Sequence, residues 1–262
     1  MDDPSAAPGA PGQGAAAIPA DPTAPRVSVV IPTLNEAENL PHVFARLPAG
    51  LFEVVLVDGA STDGTVEVAR ELFPDIRIVG QPGKGKGNAL AAGFAACRGD
   101  IIVMIDADGS QRPEEIPAYV AALLDGADFA KGSRFLEGGG SADITWDRKV
   151  GNWCLTKLAN LLYGSRYSDL CYGYNAFWAR CLPAMNVDCD GFEVETLINV
   201  RIAKSGLSVA EVPSFEDCRI HGQSNLNTVR DGFRVLRTLI REKRVAPLPM
   251  LAPAAIDEAR AA

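Results

Sequence analysis

Short apolar runs alternate with longer segments of mixed polarity along the first hundred residues of this chain. Runs of this kind predict buried strands, and the segments between them predict helices. The predicted strands cover residues 27–31, 52–57, 76–79 and 101–105, and the predicted helices cover residues 36–47, 65–73 and 88–97. This alternation predicts βαβ units, and therefore an α/β fold with a mostly parallel, Rossmann-like central sheet flanked by helices.

The two ends of the chain have a different composition from its centre. Residues 1–25 are almost entirely Ala, Pro, Gly and Asp, and residues 246–262 contain three prolines. Such segments bury too little apolar surface to offset their conformational entropy, so we predict a disordered N-terminal tail and a flexible C-terminal tail. Residues 1–25 also lack the basic start and apolar core of a secretory signal. Between the tails no repeat or linker is visible, and residues 26–225 are predicted to form one domain.

Composition narrows the possible partners and the compartment. The net charge of −8 argues against nucleic-acid binding, which needs a basic surface. The six cysteines form no CxxC pair, so free thiols in a reducing cytoplasm are expected. The longest apolar candidate for a membrane span, residues 89–105, is interrupted by Arg98 and Asp100, so no membrane anchor is expected.

Two carboxylates follow the most apolar of the predicted strands. Residues 101–105 run directly into Asp106 and Asp108, here called the acidic pair. In open α/β sheets, ligands bind in the crevice at the carboxyl ends of the strands. Two carboxylates this close repel each other unless a cation such as Mg²⁺ or Mn²⁺ shares them. The alternative is an Asp-rich turn that caps the next helix.

Two neighbouring strand ends also carry acidic residues. The turn after the first strand contains Asn35 and Glu36, and Asp58 follows the second strand. Helix capping explains Asn35 equally well, and Asp63 is expected to cap the helix that follows it. We expect Asp58 to have no such local role. Glu36, Asp58 and the acidic pair are therefore predicted to converge on one crevice, where they could bind a nucleoside.

A loop rich in glycine and lysine precedes the third predicted helix. Residues 83–88 offer backbone amides and the ammonium groups of Lys84 and Lys86, where an anion could bind. The segment has neither Walker A spacing nor a GxGxxG pattern, so nucleotide binding would need another motif. The alternative is a mobile surface loop.

Taken in order, several segments of the chain carry a family resemblance. With residues 29–36, 57–65, 85–89 and 106–109, the chain resembles family 2 glycosyltransferases with the GT-A fold. Residues 132–135, Asp169 with Gly173, and residues 211–213 and 219–224 look like dolichol-phosphate mannose synthases and related polyprenyl-phosphate glycosyltransferases. The resemblance covers about residues 27–240.

This resemblance implies an inverting enzyme that moves a sugar from a GDP- or UDP-sugar to a polyprenyl phosphate, assisted by Mg²⁺ or Mn²⁺. The residues implied to bind the nucleotide sugar are Pro32, Leu34, Asn35, Glu36, Asp58, Lys86 and Asp106. The implied metal ligands are Asp106, Asp108 and either Ser110 or Gln111. Asn175 and Asn225 replace an arginine and a lysine of the family, which leaves the sugar and the base open.

The acceptor side is implied to be cationic. A phosphate monoester is already anionic near neutral pH, so it needs positioning rather than a general base. Arg134, Arg148 and Arg219 match family arginines that hold the acceptor phosphate and the donor diphosphate, and guanidinium groups suit phosphate oxygens. Asn152 stands where the family has a small hydroxyl partner of the acceptor phosphate. For each arginine the alternative is a surface charge or a structural ion pair.

An acidic segment is implied to lie near the sugar. Glu193 and Glu195 are two residues apart, so a helix cannot direct both into one site, and we rank Glu193 first as a catalytic residue. If the acceptor were soluble or protein-borne, one of the two would act as general base. A further alternative is a non-catalytic sensor or scaffold for nucleotide sugars.

Residues 226–245 have the pattern of a basic amphipathic helix. Its apolar stripe is formed by Leu226, Val229, Phe233, Leu236 and Ile240. Residues 219–244 carry seven basic against two acidic side chains, a local charge of +5. Such a helix can lie on an anionic bilayer, so we expect a peripheral protein at the inner face of the membrane. The alternative is that the stripe packs on the domain or on a second subunit in a homodimer.

Overall fold

A seven-stranded sheet forms the centre of the computed structural model, which describes Ile18, residues 23–223 and residues 226–247. Its strands are β1 (Val27–Thr33), β2 (Glu53–Asp58), β3 (Arg77–Gly80), β4 (Ile101–Met104), β5 (Phe129–Ser133), β7 (Asn175–Trp178) and β8 (Val209–Pro213). Their order is β3-β2-β1-β4-β7-β5-β8. Strand β7 runs antiparallel to β4 and β5, and the other pairs are parallel. The predicted α/β class is confirmed.

Eight α-helices accompany the sheet in the described part of the chain. They are α1 (Leu40–Phe44), α2 (Thr65–Leu72), α3 (Lys86–Ala96), α4 (Ile116–Leu124), α5 (Trp146–Tyr163), α6 (Leu182–Met185), α7 (Val194–Lys204) and α8 (Thr228–Glu242). A two-stranded ribbon pairs β6 (Gly140–Ser141) with β9 (Phe215–Glu216). The first helix is shorter than predicted and begins at Leu40 rather than at residue 36. Pro41 lacks an N–H group, so it fits only the first turn of a helix.

Strands β1, β2 and β4 are buried on both faces, as their continuous apolar pattern requires. Val29 and Val103 face a core cluster completed by α1, α2 and α4. Val30 and Ile102 face a second cluster completed by α3, α6 and α7. Because both faces of the sheet are covered by helices, the register of the strands is fixed and their carboxyl ends lie at one edge.

Helices α5, α7 and α8 pack around a third, smaller cluster. Its members are Ala159, Tyr167, Leu170, Val200, Val235 and Leu239. Glu242, which is fully buried, joins α8 to α7 through ion pairs of 2.9 Å to Arg201 and 3.2 Å to Lys204. The C-terminal half of α8 is therefore fixed to the domain. No helix in the described ranges has the length and apolar content that crossing a bilayer requires.

The two predicted tails lie mostly outside the described residues, as do Ser224 and Asn225. Ile18 is an exception, because its side chain is buried and its N–H group donates a hydrogen bond to the carbonyl oxygen of Ala49. All six cysteines are free thiols, of which Cys154 and Cys218 are exposed.

Candidate active site

A cavity of about 640 Å³ lies at the carboxyl ends of the central strands and extends between α5 and α8. It brings together most of the residues singled out in the sequence: Pro32, Leu34, Glu36, Lys86, Asp106, Asp108, Ser110, Gln111, Arg134, Arg148, Asn152 and Arg219. Asn35, Asp58 and Glu193 are not among its lining residues. Glu36 and the acidic pair therefore line one cavity, as predicted, whereas Asp58 does not.

Lys86 joins two carboxylates at the centre of this cavity. Its Nζ lies 2.5 Å from Asp106 Oδ1 and 2.8 Å from Glu195 Oε1. Burial alone would lower the pKa of Lys86, but the two facing carboxylates raise it above its usual value. Lys86 is thus a fixed positive charge at the first residue of α3. The alternative of a mobile surface loop does not hold for this residue.

Gly173 permits this close arrangement. A Cβ atom at that position would lie 3.0 Å from Lys86 Nζ, 3.1 Å from Glu195 Oε1 and 3.5 Å from Asp106 Oδ2. A side chain there would crowd the ion pairs and fill part of the cavity. The glycine therefore lets the backbone approach the charged centre directly.

Asp108 and Glu36 share a second cation. Arg219 Nη2 lies 3.3 Å from Asp108 Oδ2, while Arg219 Nη1 lies 3.1 Å from Glu36 Oε1. The Nε group of Arg219 is buried without a hydrogen-bond partner among the described residues. Burial raises the pKa of Glu36, although Asn39 and Arg219 both favour its charged form. A buried donor without a partner is costly, so Arg219 is ready to bind an anion.

Ser110 and Gln111 each support one member of the acidic pair. The Ser110 hydroxyl donates to Asp108 Oδ1 at 2.7 Å, and the Gln111 amide donates to Asp106 Oδ2 at 3.2 Å. The Gln111 Oε1 atom also accepts from the backbone N–H of Asp106. Both residues orient carboxylates, and the geometry does not select one of them as a third metal ligand.

The acidic pair fits a divalent cation that a substrate helps to hold. In the described part of the chain no third carboxylate, histidine or cysteine joins it to form a complete protein-only site. Mg²⁺ is commonly bound by one or two carboxylates together with substrate phosphates. The unpartnered Nε of Arg219, next to Asp108, is an observation that fits a diphosphate at the same place.

At the other end of the cavity, Arg134 is held by Asp169. Arg134 Nε and Nη2 donate to the two Asp169 oxygens at 2.7 and 3.0 Å, and Nη1 donates to Glu216 at 3.0 Å. Asn152 also donates to Asp169, at 2.9 Å. Burial would raise the pKa of Asp169, but the Arg134 guanidinium holds it below its usual value. Asp169 therefore positions two of the predicted acceptor-phosphate residues.

Arg148 is the less constrained of the acceptor-side arginines. It donates one hydrogen bond of 3.3 Å to Asp143, and 29% of its side chain is exposed. It lies on the third residue of α5 and lines the cavity. An arginine paired this weakly can turn toward an incoming phosphate at little cost.

Two predicted nucleotide-binding residues serve the local turns instead. The Asp58 carboxylate accepts hydrogen bonds from the N–H groups of Ala60 and Ser61, so the expectation that it has no local role was wrong. The Asn35 side chain accepts from the N–H of Thr62 at 2.8 Å. Short polar side chains commonly bind nearby backbone groups in this way. Both residues still flank the end of the cavity formed by Pro32, Leu34 and Glu36.

The expected order of the two glutamates is reversed. Glu193 precedes α7 and is absent from the cavity lining, whereas Glu195 lies in the first turn of α7 and contacts Lys86. The helix starts at Val194, and this directs the second glutamate toward the site. Glu193 as a catalytic residue is therefore not supported by its position.

Three of the five residues in the predicted apolar stripe of the C-terminal helix are exposed. Val229, Phe233 and Ile240 are 69%, 67% and 54% exposed. The opposite face packs on the domain through Val235, Leu239 and the buried carboxylates Asp231 and Glu242. Packing of the stripe on this domain is therefore wrong for these three residues, whereas Leu226 lines the cavity and Leu236 is half-buried.

The family model described as glycosyl transferase family 2 matches residues 28–182. The polyprenol monophosphomannose synthase of Mycolicibacterium smegmatis is 37% identical over 221 residues, covering 79% of this chain and 83% of that protein. The dolichol-phosphate mannosyltransferase of Pyrococcus furiosus is 33% identical over 231 residues, covering 82% of this chain and 63% of that protein.

Among solved structures, this chain is similar to glucosyl-3-phosphoglycerate synthase from Mycobacterium tuberculosis in complex with Mn²⁺, UDP and glucosyl-3-phosphoglycerate. The TM-score is 0.63 at 25% identity, and the match covers 85% of this chain and 81% of that one. The fold, the motifs and these similarities agree, and the chain belongs to the family 2 glycosyltransferases.

Proposed function

We propose that this enzyme transfers a sugar from a GDP- or UDP-sugar to a polyprenyl phosphate, with inversion at the anomeric carbon. The names of the two relatives support a polyprenyl acceptor. The Mn²⁺ and UDP bound to the Mycobacterium tuberculosis neighbour support a divalent metal and a nucleoside diphosphate. The sugar and the base stay open.

The observation that best supports this proposal is that the carboxylates in the cavity are paired with basic side chains. Among the described residues, every carboxylate that lines the cavity lies within 4.0 Å of a lysine or arginine nitrogen, and these are Glu36, Asp106, Asp108, Asp143, Glu195, Glu216 and Asp231. A paired carboxylate must give up its ion pair before it can take a proton. The site therefore suits an acceptor that is already anionic and needs no general base.

The two ends of the cavity suit the two partners of the reaction. Arg219 would bind the donor diphosphate, and Arg134 and Arg148 would hold the acceptor phosphate against the sugar. One acceptor oxygen then forms a bond to the anomeric carbon while the bond from that carbon to the diphosphate breaks. Asp106 and Asp108 would hold the Mg²⁺ or Mn²⁺, which when bound neutralises charge on the departing nucleoside diphosphate. Lys86 keeps Asp106 and Glu195 in place.

A soluble, phosphorylated acceptor is the second candidate. The Mycobacterium tuberculosis neighbour is named for a glucosyl-3-phosphoglycerate product, and a small phosphorylated acid would also suit Arg134 and Arg148. The exposed apolar side chains on α8 favour the lipid acceptor over this one, because a soluble acceptor gives them no role.

A direct transfer assay tests the proposal. Purified enzyme with Mg²⁺ or Mn²⁺ is offered GDP-mannose, UDP-glucose or UDP-GlcNAc together with undecaprenyl phosphate in detergent, and products are identified by mass spectrometry. We expect a glycosyl phosphodiester from one donor, and rates at least tenfold higher than with 3-phosphoglyceric acid.

Two other outcomes would contradict this proposal. Faster transfer to 3-phosphoglyceric acid would establish the soluble acceptor. Binding of a nucleotide sugar without transfer to either acceptor would establish a sensor or scaffold.

We further propose that the protein is a cytoplasmic, peripheral protein that lies on the inner face of the membrane. Helix α5 carries Trp146 and Trp153, which are 79% and 61% exposed, and α8 carries Val229 and Phe233 beside its arginines. Exposed apolar side chains on two neighbouring helices can form a binding surface, and tryptophan favours the membrane interface. The basic residues of α8 complement anionic lipids.

The membrane proposal is checked with Trp153→Ser and Phe233→Ser variants in sedimentation with phosphatidylglycerol vesicles. Each substitution is expected to weaken binding about tenfold, because a large apolar side chain contributes about 1.5–3 kcal/mol when it is buried. Leu124→Ser, at an apolar position on α4 that is 51% exposed, serves as control and should bind as the wild type does. Unchanged sedimentation of both test variants, together with a change from dimer to monomer, would show instead that this surface joins two subunits.

A further inference from the structure

One buried amide joins the turn after β1 to the segment that carries Arg219. Asn39 stands at the N-cap of α1 and is 2% exposed, and in the described structure its side chain makes no capping hydrogen bond. Asparagine at an N-cap commonly accepts from a backbone N–H of the first helical turn. Here Nδ2 donates to Glu36 Oε2 at 2.6 Å and to the carbonyl oxygen of His221 at 3.2 Å, and Oδ1 accepts from the N–H of His221 at 2.9 Å. The amide therefore serves these two residues and not its own helix.

Arg219 binds the same two acceptors as this amide. Its Nη1 donates to the two Glu36 oxygens at 3.1 and 3.2 Å and to the carbonyl oxygen of His221 at 3.3 Å. Asn39 Nδ2 and Arg219 Nη1 thus share two acceptors, and the four groups form a closed network. Groups in such a network depend on one another, so loss of the amide weakens the hold on the guanidinium as well.

The backbone next to Arg219 has a second anchor. The N–H of Ile220 donates to the carbonyl oxygen of Asp108 at 3.2 Å. The Ile220 side chain covers Gly109, where an added Cβ atom would lie 2.5 Å from Ile220 Cδ1. Asn39 holds the residue that follows Ile220, and it does so from α1, so the segment is attached to two separate parts of the donor end.

We propose that Asn39 is a positioning residue for the donor, because it holds Glu36 and the backbone of His221 so that the Arg219 guanidinium faces the diphosphate. This inference rests on the proposed role of Arg219 in donor binding. Asn39 is not among the residues that line the cavity, so it acts through Glu36 and Arg219 and not by touching the substrate. A displacement of about 1 Å in a binding group can lower a rate about 10²-fold.

Asn39→Ala removes all three hydrogen bonds of the amide and changes no side chain that lines the cavity. We expect the dissociation constant for GDP or UDP with Mn²⁺, whichever the wild type binds, to rise about tenfold in isothermal titration calorimetry. The value of kcat/KM for the nucleotide sugar should fall by at least the same factor. Asn39→Asp keeps the size of the side chain but loses both N–H donors, and it should show the same defects if Asn39→Ala fails to fold.

Asn160→Ala is the matched control. The Asn160 side chain also makes three hydrogen bonds, since it donates to the carbonyl oxygen of Tyr167 at 2.8 Å and accepts from the N–H of Tyr167 at 3.0 Å and from the Ser165 hydroxyl at 2.8 Å. It does not line the main cavity. Its loss should lower the melting temperature as Asn39→Ala does, while donor affinity and kinetics stay at wild-type values.

A double-mutant cycle with Arg219→Gln separates positioning from a purely structural role. In the Arg219→Gln background, Asn39→Ala should raise the dissociation constant less than about threefold, because the group that it positions has already gone. If Asn39→Ala costs the same factor in both backgrounds, or if folded Asn39→Ala and Asn39→Asp keep wild-type donor affinity, the positioning role is overturned and the proposed function stands. If the wild type binds neither GDP nor UDP, both are overturned.

Discussion

Asp108→Asn is expected to lower kcat/KM by about 10²–10³-fold, which corresponds to about 3–4 kcal/mol of transition-state stabilisation. The amide keeps the size of the side chain and can still accept from Ser110, but it has no charge to offer a cation or to oppose Arg219. The Asp108–Arg219 pair is partly exposed, so the free energy of unfolding should change by less than about 1 kcal/mol. Steady-state transfer kinetics at saturating Mg²⁺ or Mn²⁺ give the first quantity, and urea unfolding gives the second.

Asp125→Asn is the matched control for this prediction. Asp125 is an exposed residue at the C-terminal end of α4, away from the cavity lining, and its variant should have wild-type kinetics. A wild-type kcat/KM for Asp108→Asn would show that the acidic pair has no part in holding the metal and the donor.

Asp169→Asn is expected to lower the free energy of unfolding by about 3–5 kcal/mol, because it leaves Arg134 buried with only part of its compensation. The Asp169 side chain has no exposed surface, and that of Arg134 is 8% exposed. Transfer to the acceptor should fall by about 10²-fold as well, since Arg134 and Asn152 both lose their fixed positions. Urea unfolding measures the stability, and kcat/KM for undecaprenyl phosphate measures the positioning.

The pH dependence gives this prediction a second readout. In the folded protein the pKa of Asp169 lies below its unfolded value of about 3.9. The stabilisation is therefore fully present above that value and is lost as the pH falls through the lower, folded pKa. The difference in stability between the wild type and Asp169→Asn should be the same at pH 7 and pH 5 and should narrow below about pH 4.

Glu114→Gln removes one carboxylate charge from a partly exposed ion pair with Arg46 and is the control for stability. It should cost less than about 1 kcal/mol. An equally small cost for Asp169→Asn would mean that Arg134 is held by other groups.

The central part of the site could be predicted because it depends on local pattern. A run of apolar residues that ends in two carboxylates identifies both a buried strand and the chemistry at its end. The role of Asp169 could not be predicted in this way, since its partner Arg134 lies 35 residues earlier and the two meet only in the folded chain. The need for glycine at position 173 could not be predicted either. It depends on Lys86 and Glu195, which are distant in the sequence and lie next to Gly173 only in the fold.

The errors have equally specific causes. The local role of Asp58 was missed because the sequence of an acidic turn does not show which backbone N–H groups its carboxylate will bind. Which of Glu193 and Glu195 faces the cavity depends on the residue at which α7 starts. A shift of one residue in that start changes the answer, and the sequence does not fix the start that closely. In α8, periodicity identified Val229, Phe233 and Ile240 as one apolar stripe. The face that packs on the domain contains Asp231 and Glu242, which a pattern of polarity assigns to solvent.

The antiparallel strand β7 divides the sheet into two groups of strands. Among the described strands of the sheet, only β7 runs against its neighbours, and it separates β1, β2 and β4 from β5 and β8. Residues assigned to the donor follow the first group, and Arg134 follows the second. We therefore expect acceptor preference to be exchangeable between homologues by grafting the segments that follow the acidic pair onto a constant donor half. Two junctions that such a chimaera must match are formed by residues encoded with the acceptor half. Arg219 contacts Glu36 and Asp108 of the donor half, and Glu195 contacts Lys86.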